Sequence, residues 1–504
     1  MEPGETGKRV SWVELYFDLI FVFAVGETAH VMVADPRWGG FGRALILFIL
    51  LWWTWIGFVV LCNRHYQDRV SQRLFVLAGT LPSAVAAVEA HAAADGHAMA
   101  FLVSLAGARL VLALAFAFGA GKARQVTLVY GASAAIFVAA SFTPVPWRFP
   151  LLAFALIQEA AFLLLRNGAA PRGRGRGAGR RPRPSRAESV RAMFKPPADP
   201  ASRVDAAHLA ERFGLMIIIL LGEVVVAVGS SAAGVPVHGT RYWLGLVGGL
   251  VLAAALWWIY FTAAAPISEY VLRASGGNPA MAYGLYAAGH LSPAFALLTM
   301  AAGMSLALSG EGPPAAAWFI TGGLAVFLAG SQVMTDNGRV RGGPLVRTAI
   351  IAATVCLAFL RPLVSTTGVV LAATAWAGVI AAYVTWRVPG RLKALAADPL
   401  SYFHPLPRSP APGESAPAEP EPAERGEPGS LPSAASTYVR PAPAAFPGGW
   451  LWQRAAWDRL VATTTRCRPA GRPASGKWPA LSRRTGPPGG RRGRSPPTGR
   501  AGPR

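Results

Sequence analysis

The stretch ELYFDLIFVFAVGETAH, Glu14–His30, decides how this chain is read. It sits in an apolar segment, 12–34, that is long enough to cross a bilayer, yet it carries Glu14, Asp18, Glu27 and His30. Ionisable groups in such a segment are costly to expose to lipid and normally face a bundle interior or an aqueous cavity. Lys8 and Arg9 precede it as they would a signal peptide, but its carboxylates and aromatic density argue for a retained span.

Outward from that stretch the composition agrees. Of 504 residues, 53% are hydrophobic and only 14% charged, and the apolar residues fall in runs of about 20, the length of a spanning helix. A spanning barrel would need short alternating strands instead. The formal charge of +23 could suggest nucleic acid. The Lys and Arg residues lie instead in short loops, a linker and a C-terminal tail, where they orient a membrane protein, and no nucleic-acid partner is expected. Cys62, Cys356 and Cys467 are odd in number and far apart, with no disulfide or metal spacing.

The fold class expected is all-α, a polytopic transmembrane helix bundle of about 12 spans. They fall near 12–34, 43–62, 73–93, 98–120, 124–142 and 148–166, then 207–231, 242–265, 280–308, 314–335, 344–362 and 367–388. With both termini cytoplasmic, every inside loop is basic, including Arg64, Arg69 and Arg73, then Lys122 and Arg124, then Arg339, Arg341 and Arg347. A span missed early would invert all later loops and destroy that bias. Four regions follow: a six-span half at 1–166, a basic linker at 167–206, a second six-span half at 207–394, and a Pro/Ala/Arg-rich tail at 395–504. The linker and tail cannot bury a core and are expected to be disordered, with their basic residues resting on anionic lipid. Within the tail, 449–463 carries Trp450, Trp452 and Trp457 and could lie as a short interfacial helix.

The two halves share features. Glu14–Glu27 and Glu211–Glu223 both begin at Glu and end in Gly-Glu, and the next span of each carries a Trp pair, Trp52-Trp53 and Trp257-Trp258. Matched positions lie 196 residues apart at Glu27 and Glu223 and 205 apart at Trp52 and Trp257. An even number of spans per half makes this a parallel repeat about an axis along the membrane normal.

The motifs VSWVELYFDLIFVFA (Val10–Ala24), WWTW (Trp52–Trp55) and HLAERFGLMIIILLGE (His208–Glu223) give the chain a family likeness. It resembles the bacterial low temperature requirement protein A (LtrA) family over roughly residues 10–390, leaving out the linker and tail. The resemblance implies a multi-pass protein of the bacterial inner (plasma) membrane without an assigned molecular activity, and supplies no catalytic residues.

The residues that could carry chemistry are then found by helix phase. Glu14 and Asp18 share a face, Glu27 and His30 share another, and the nine residues from Asp18 to Glu27 turn the two pairs to opposite sides. Each pair therefore needs partners on different neighbouring helices. Arg109, Glu159 and His290 also fall within apolar runs, and Glu211 opens the repeated element whose end is Glu223. A charged group at mid-membrane costs about 2.5–3.5 kcal/mol on insertion scales, so these groups must pair, neutralise or meet water. Glu89, His91, Asp95 and His97 crowd one short loop, but the spacing matches no metal template, and a solvated loop is expected. No cofactor is expected, and no HExxH, G-x-S-x-G, P-loop or dinucleotide fingerprint occurs.

The reading reached is a transporter or channel-like permease for a small solute or cation. Glu27 and Glu223, with Arg109 and Glu159, would form a charged site between the halves. The alternatives are a membrane-embedded lipid-handling enzyme using the outer Glu89/His91/His97 cluster or the Glu14/Asp18 pair, and a non-transporting scaffold whose buried charges fix helix register.

Overall fold

The computed structural model describes residues 10–64, 70–119, 124–168, 193–197, 202–230, 239–309, 312–331 and 343–399. All belong to the first of the two units into which the chain divides, residues 1–422. Most of the expected linker and nearly all of the tail, including 449–463, lie outside the described residues.

Every regular element among the described residues is helical. In chain order they are α1 (Trp12–Ala34), α2 (Trp38–Arg64), α3 (Val70–Val88), the short α4 (Ala90–Ala94), α5 (Met99–Leu114), α6 (Arg124–Phe142) and α7 (Val145–Gly168). The second part holds α8 (Ala206–Ser230), α9 (Thr240–Ile259), α10 (Ala265–Ala274), α11 (Pro279–Ala282), α12 (Leu291–Leu308), α13 (Pro314–Gly330), α14 (Gly343–Cys356) and α15 (Thr366–Ala397). Three π-helical segments interrupt them, at Ala115–Gly119, Tyr260–Ala264 and Tyr283–Ala288. Among the described residues nine helices are long and apolar enough to cross a membrane, and two shorter apolar ones accompany them.

Local chemistry explains several boundaries. Ser11 and Glu14 have the spacing of a capping box. The Ser11 hydroxyl donates to Glu14 Oε1 at 2.9 Å and caps no backbone N–H, because the Glu14 carboxylate is engaged elsewhere. Asn278 caps α11 by accepting from Ala280 N at 2.9 Å, with Pro279 at the first helical position. Small residues allow the closest helix contacts: a Cβ on Gly79 would meet the Phe58 ring at 2.3 Å, and one on Gly303 would meet α13 backbone at 3.0 Å.

α12 is the central helix, buried along most of its length and packed on α1, α8 and α13. The first and second parts of the chain meet there and along α1–α8. Aromatic side chains fill the seam: Phe48 lies 5.2 Å from Phe295 and Trp55 4.9 Å from Phe213, centroid to centroid. The Trp52 indole N–H donates to the Ala287 carbonyl at 2.9 Å. Its repeat counterpart has a different place, for Trp257 and Trp258 lie half-exposed at the periphery. Leu81, Leu110, Phe154 and Val226 are among the large apolar residues that face outward, as lipid contact requires.

Part of the stretch expected as linker is held in place. Met193, Phe194 and Val204 pack on the core, Asn278 Nδ2 donates to Lys195 O at 2.9 Å, and Val204 N donates to Gly277 O at 2.9 Å.

Candidate functional site

Glu14 and Asp18 point into the α1–α8 seam, where a buried arginine meets both. Arg212 NH1 donates to Glu14 Oε2 at 2.8 Å and Arg212 NH2 to Asp18 Oδ1 at 3.0 Å. The Trp55 indole N–H donates to the same Asp18 oxygen at 2.7 Å. His208 Nε2 lies 3.2 Å from Glu14 Oε2 without an aligned hydrogen bond. Asp18, His208 and Arg212 are fully buried and Glu14 is 2% exposed. Asn63 on α2 completes the group: its Oδ1 accepts from Asp205 N and its Nδ2 faces His208 Nδ1, both at 3.3 Å. Three fully buried polar atoms of the group remain without a hydrogen-bond partner, Asp18 Oδ2, His208 Nε2 and Arg212 Nε.

A cavity of about 50 Å³ adjoins this group between α2, α8 and the residues around α11. Asn63 and Phe213 line it, with Val59, Tyr283, Tyr286 and Ala287. Its far wall is an interrupted helix. The chain from Pro279 to Leu308 passes from α-helix into a π segment and breaks at Gly289–His290 before α12 begins. Gly289 is required there, since a Cβ would meet the Leu285 carbonyl oxygen at 2.4 Å. That freed carbonyl takes His290 Nδ1 at 3.0 Å, which leaves His290 Nε2 to accept from the Tyr260 hydroxyl at 2.8 Å. Both tyrosines around His290, Tyr260 and the stacked Tyr286, come from π segments. His290 is thus a satisfied buried residue behind the cavity wall that Tyr286 and Ala287 form.

Arg109 and Glu159 form a second assembly inside the first part of the chain. Arg109 Nε donates to Glu159 Oε1 at 2.9 Å and NH1 to Thr54 Oγ1 at 3.0 Å, while the Ser133 hydroxyl donates to the same Glu159 oxygen. The Phe137 ring lies 3.8 Å from the guanidinium carbon. The expectation that this pair joins Glu27 and Glu223 in one site is corrected: Arg109 turns to α7, which pairs its charge locally.

Glu27 and Glu223 do come together, at the other end of the seam. The Glu223 carboxylate lies against Gly26, next to Glu27, where a Cβ would stand 3.1 Å from its carbon. Glu27 Oε2 is 3.1 Å from His91 Nδ1 on α4 and 3.5 Å from His30 Nδ1. His91, expected in a solvated loop, is therefore a partner of α1. Glu211 lies at the edge, its carboxylate accepting from Val10 N at 3.2 Å.

Glu211 is the repeat match of Glu14 in the sequence, yet the residue that meets Glu14 is Arg212. Helix phase held the missed signal. Arg212 and Glu223 are eleven residues apart, or about 20° of phase, so they share the α8 face that meets α1, and Glu211 does not. Asn63 and Asp205 carry no sequence signal, and Trp55 is marked only by its place in WWTW, because each matters through a neighbour distant in the chain.

These features define a polytopic α-helical membrane protein with a buried ionic seam and an interrupted helix beside it. The chain belongs to the bacterial low temperature requirement A protein (LtrA) family, whose model matches residues 9–384. It is also similar to an uncharacterized protein of Rhizobium meliloti (strain 1021), at 25% identity over 268 residues, which are 50% of this chain and 58% of that protein. The chain thus matches less than two thirds of that relative's length. No solved structure matches it.

Proposed function

We propose that the chain is a permease of the bacterial plasma membrane. In this reading it has about twelve spans in two parallel six-span halves, cytoplasmic termini, and linker and tail on the anionic lipid surface. It carries a small solute through the seam between the halves. The observation that carries the reading is the cavity against the interrupted helix 279–308, adjoining the buried Glu14/Asp18/Arg212/His208 group. Broken helices beside a buried charged site are how transporters expose backbone and ionisable groups at membrane depth.

Rearrangement of the seam fits better than a standing pore. From Asp18 to Glu27, about 13 Å along α1 at 1.5 Å per residue, the seam is filled by Phe21, Val22, Val25, Ile217 and Leu220. An open channel would need polar lining there. The test uses Ala287→Cys in a full-length chain whose native cysteines are replaced by serine. In sealed vesicles, a membrane-impermeant thiol reagent should label it from either side, and faster on one side after a conformational lock. Protection from both sides would overturn the permease in favour of a scaffold.

A further inference from the structure

We propose that Asp18 is a proton carrier and that the ion moved or coupled by the seam is H⁺, not a metal cation; this assignment rests on the permease reading. The argument begins with donors. Asp18 Oδ1 already accepts from Trp55 Nε1 and Arg212 NH2, and Glu14 accepts from Arg212 NH1 and the Ser11 hydroxyl. A hard cation takes about six or more oxygen ligands, and here the carboxylates are met by N–H and O–H donors and by a guanidinium charge. Among the described residues no three of His, Cys, Asp and Glu stand in a metal-holding arrangement. A proton needs only one lone pair, and Asp18 Oδ2 offers one: it is fully buried and has no partner.

Charge balance leads to the same atom. Glu14 and Asp18 set two carboxylates against the one guanidinium of Arg212, so these three groups, all ionised, carry one net negative charge in a dry seam. One proton neutralises it. His208 is the poorer acceptor, since its Nδ1 lone pair is occupied by the Asn63 amide, whose orientation is fixed by the Asp205 N–H on its oxygen. The other faces around Asp18 add no rival site. α2 supplies Trp55 and Cys62, which lies within electrostatic reach of Arg212. α8 supplies Arg212, His208 and the peripheral Glu211, α3 contains only Arg73 as a charged residue, and α12 contains no titratable residue. α4 presents His91 to Glu27 at the far end.

Proton binding converts the Asp18 carboxylate to a neutral carboxylic acid with no other bond changed. It removes the charge that holds Arg212 NH2, so the guanidinium shifts its weight to Glu14 and the α1–α8 contact loosens. Release returns the proton to water entering the cavity beside Asn63, and Arg212 bridges the two carboxylates again.

The test measures the full-length protein in phosphatidylethanolamine–phosphatidylglycerol vesicles by infrared difference spectroscopy across neutral pH. A carboxylic-acid C=O band should titrate in the wild type, be unaffected by Na⁺ or K⁺, and vanish in Asp18→Asn while surviving in Glu159→Gln. The wild-type titration and its indifference to salt stand even where a variant misfolds. The same vesicles, loaded with a pH-sensitive dye, should dissipate an imposed pH gradient faster than empty ones, and Asp18→Asn should fall to the empty-vesicle rate. No titrating band, or one displaced by Na⁺, overturns the proton assignment whatever the flux. A titrating band lost in Asp18→Asn, without any flux, leaves the proton site standing and removes the permease.

Discussion

Among the described residues the chain buries two arginine–carboxylate assemblies, and they differ in ways that separate structure from function. Around Arg109, one cation meets one carboxylate, with Thr54, Ser133 and an aromatic face around it and Arg109 NH2 without a hydrogen-bond partner, all within the first part of the chain. Around Arg212, one cation faces two carboxylates and an imidazole from α1 and α8, and a carboxylate oxygen is left over. The first is charge-balanced and local. The second is unbalanced, joins the two parts of the chain and adjoins the cavity. A balanced buried pair fixes helix register, whereas an unbalanced one keeps a second protonation state within reach.

That contrast can be broken by mutation. The largest effect is expected for Arg212→Ala, which strands two buried carboxylates. It should cost about 3–5 kcal/mol or more, seen as loss of monodisperse protein in detergent. Arg109→Met should cost about 3–5 kcal/mol, and adding Glu159→Leu should return most of it, because an apolar replacement of a balanced pair is close to neutral. The seam should answer oppositely. Asp18→Asn keeps acceptors for Trp55 and Arg212 and removes the excess charge, so its thermal midpoint should equal or exceed that of wild type. If Asp18→Asn and Glu159→Gln are equally destabilising, the two assemblies are of one kind.

Smaller changes sharpen the role of the interrupted helix. Gly289→Ala drives a Cβ against the Leu285 carbonyl oxygen and should cost about 1–3 kcal/mol by thermal unfolding. Trp52→Phe keeps most of the ring packing but leaves the Ala287 carbonyl without its donor, at about 1–2 kcal/mol. The smallest effect belongs to an exposed counterpart of both assemblies, Asp35 between α1 and α2. The Arg37 guanidinium, with Arg43 beside it, holds its carboxyl below the ordinary carboxylate range. Its small stabilisation is complete above the usual Asp value of about 3.9 and is lost as pH falls through the lowered value. Wild type and Asp35→Asn should therefore differ by a small, constant amount in thermal midpoint above about pH 4 and converge below it, and added salt should shrink the difference.

Much of this was legible in the residues themselves. Apolar runs located the helices, and the phase of Glu14, Asp18, Glu27 and His30 required two different sets of partners on neighbouring helices. The partners were harder to read. Arg109 looked like a candidate for the carboxylates of α1 because charge alone does not state direction, and α6 and α7 supplied a nearer shell. Arg212 is marked in the sequence only by its phase with Glu223, which places it on the face toward α1. The repeat drew attention to the Trp pairs equally, yet Trp52 is buried in the seam and Trp257 faces outward.

The sequence by itself determined that this is a polytopic helical membrane protein of the LtrA family with ionisable groups inside its bundle. Hydropathy period and length are local properties that the bilayer turns directly into helices. Only the tertiary structure decided which charges pair, which oxygen is left over, and where helix 279–308 breaks. Those depend on which faces meet across nearly two hundred residues of chain, and a buried charge is defined by its neighbours, not by its position in the sequence.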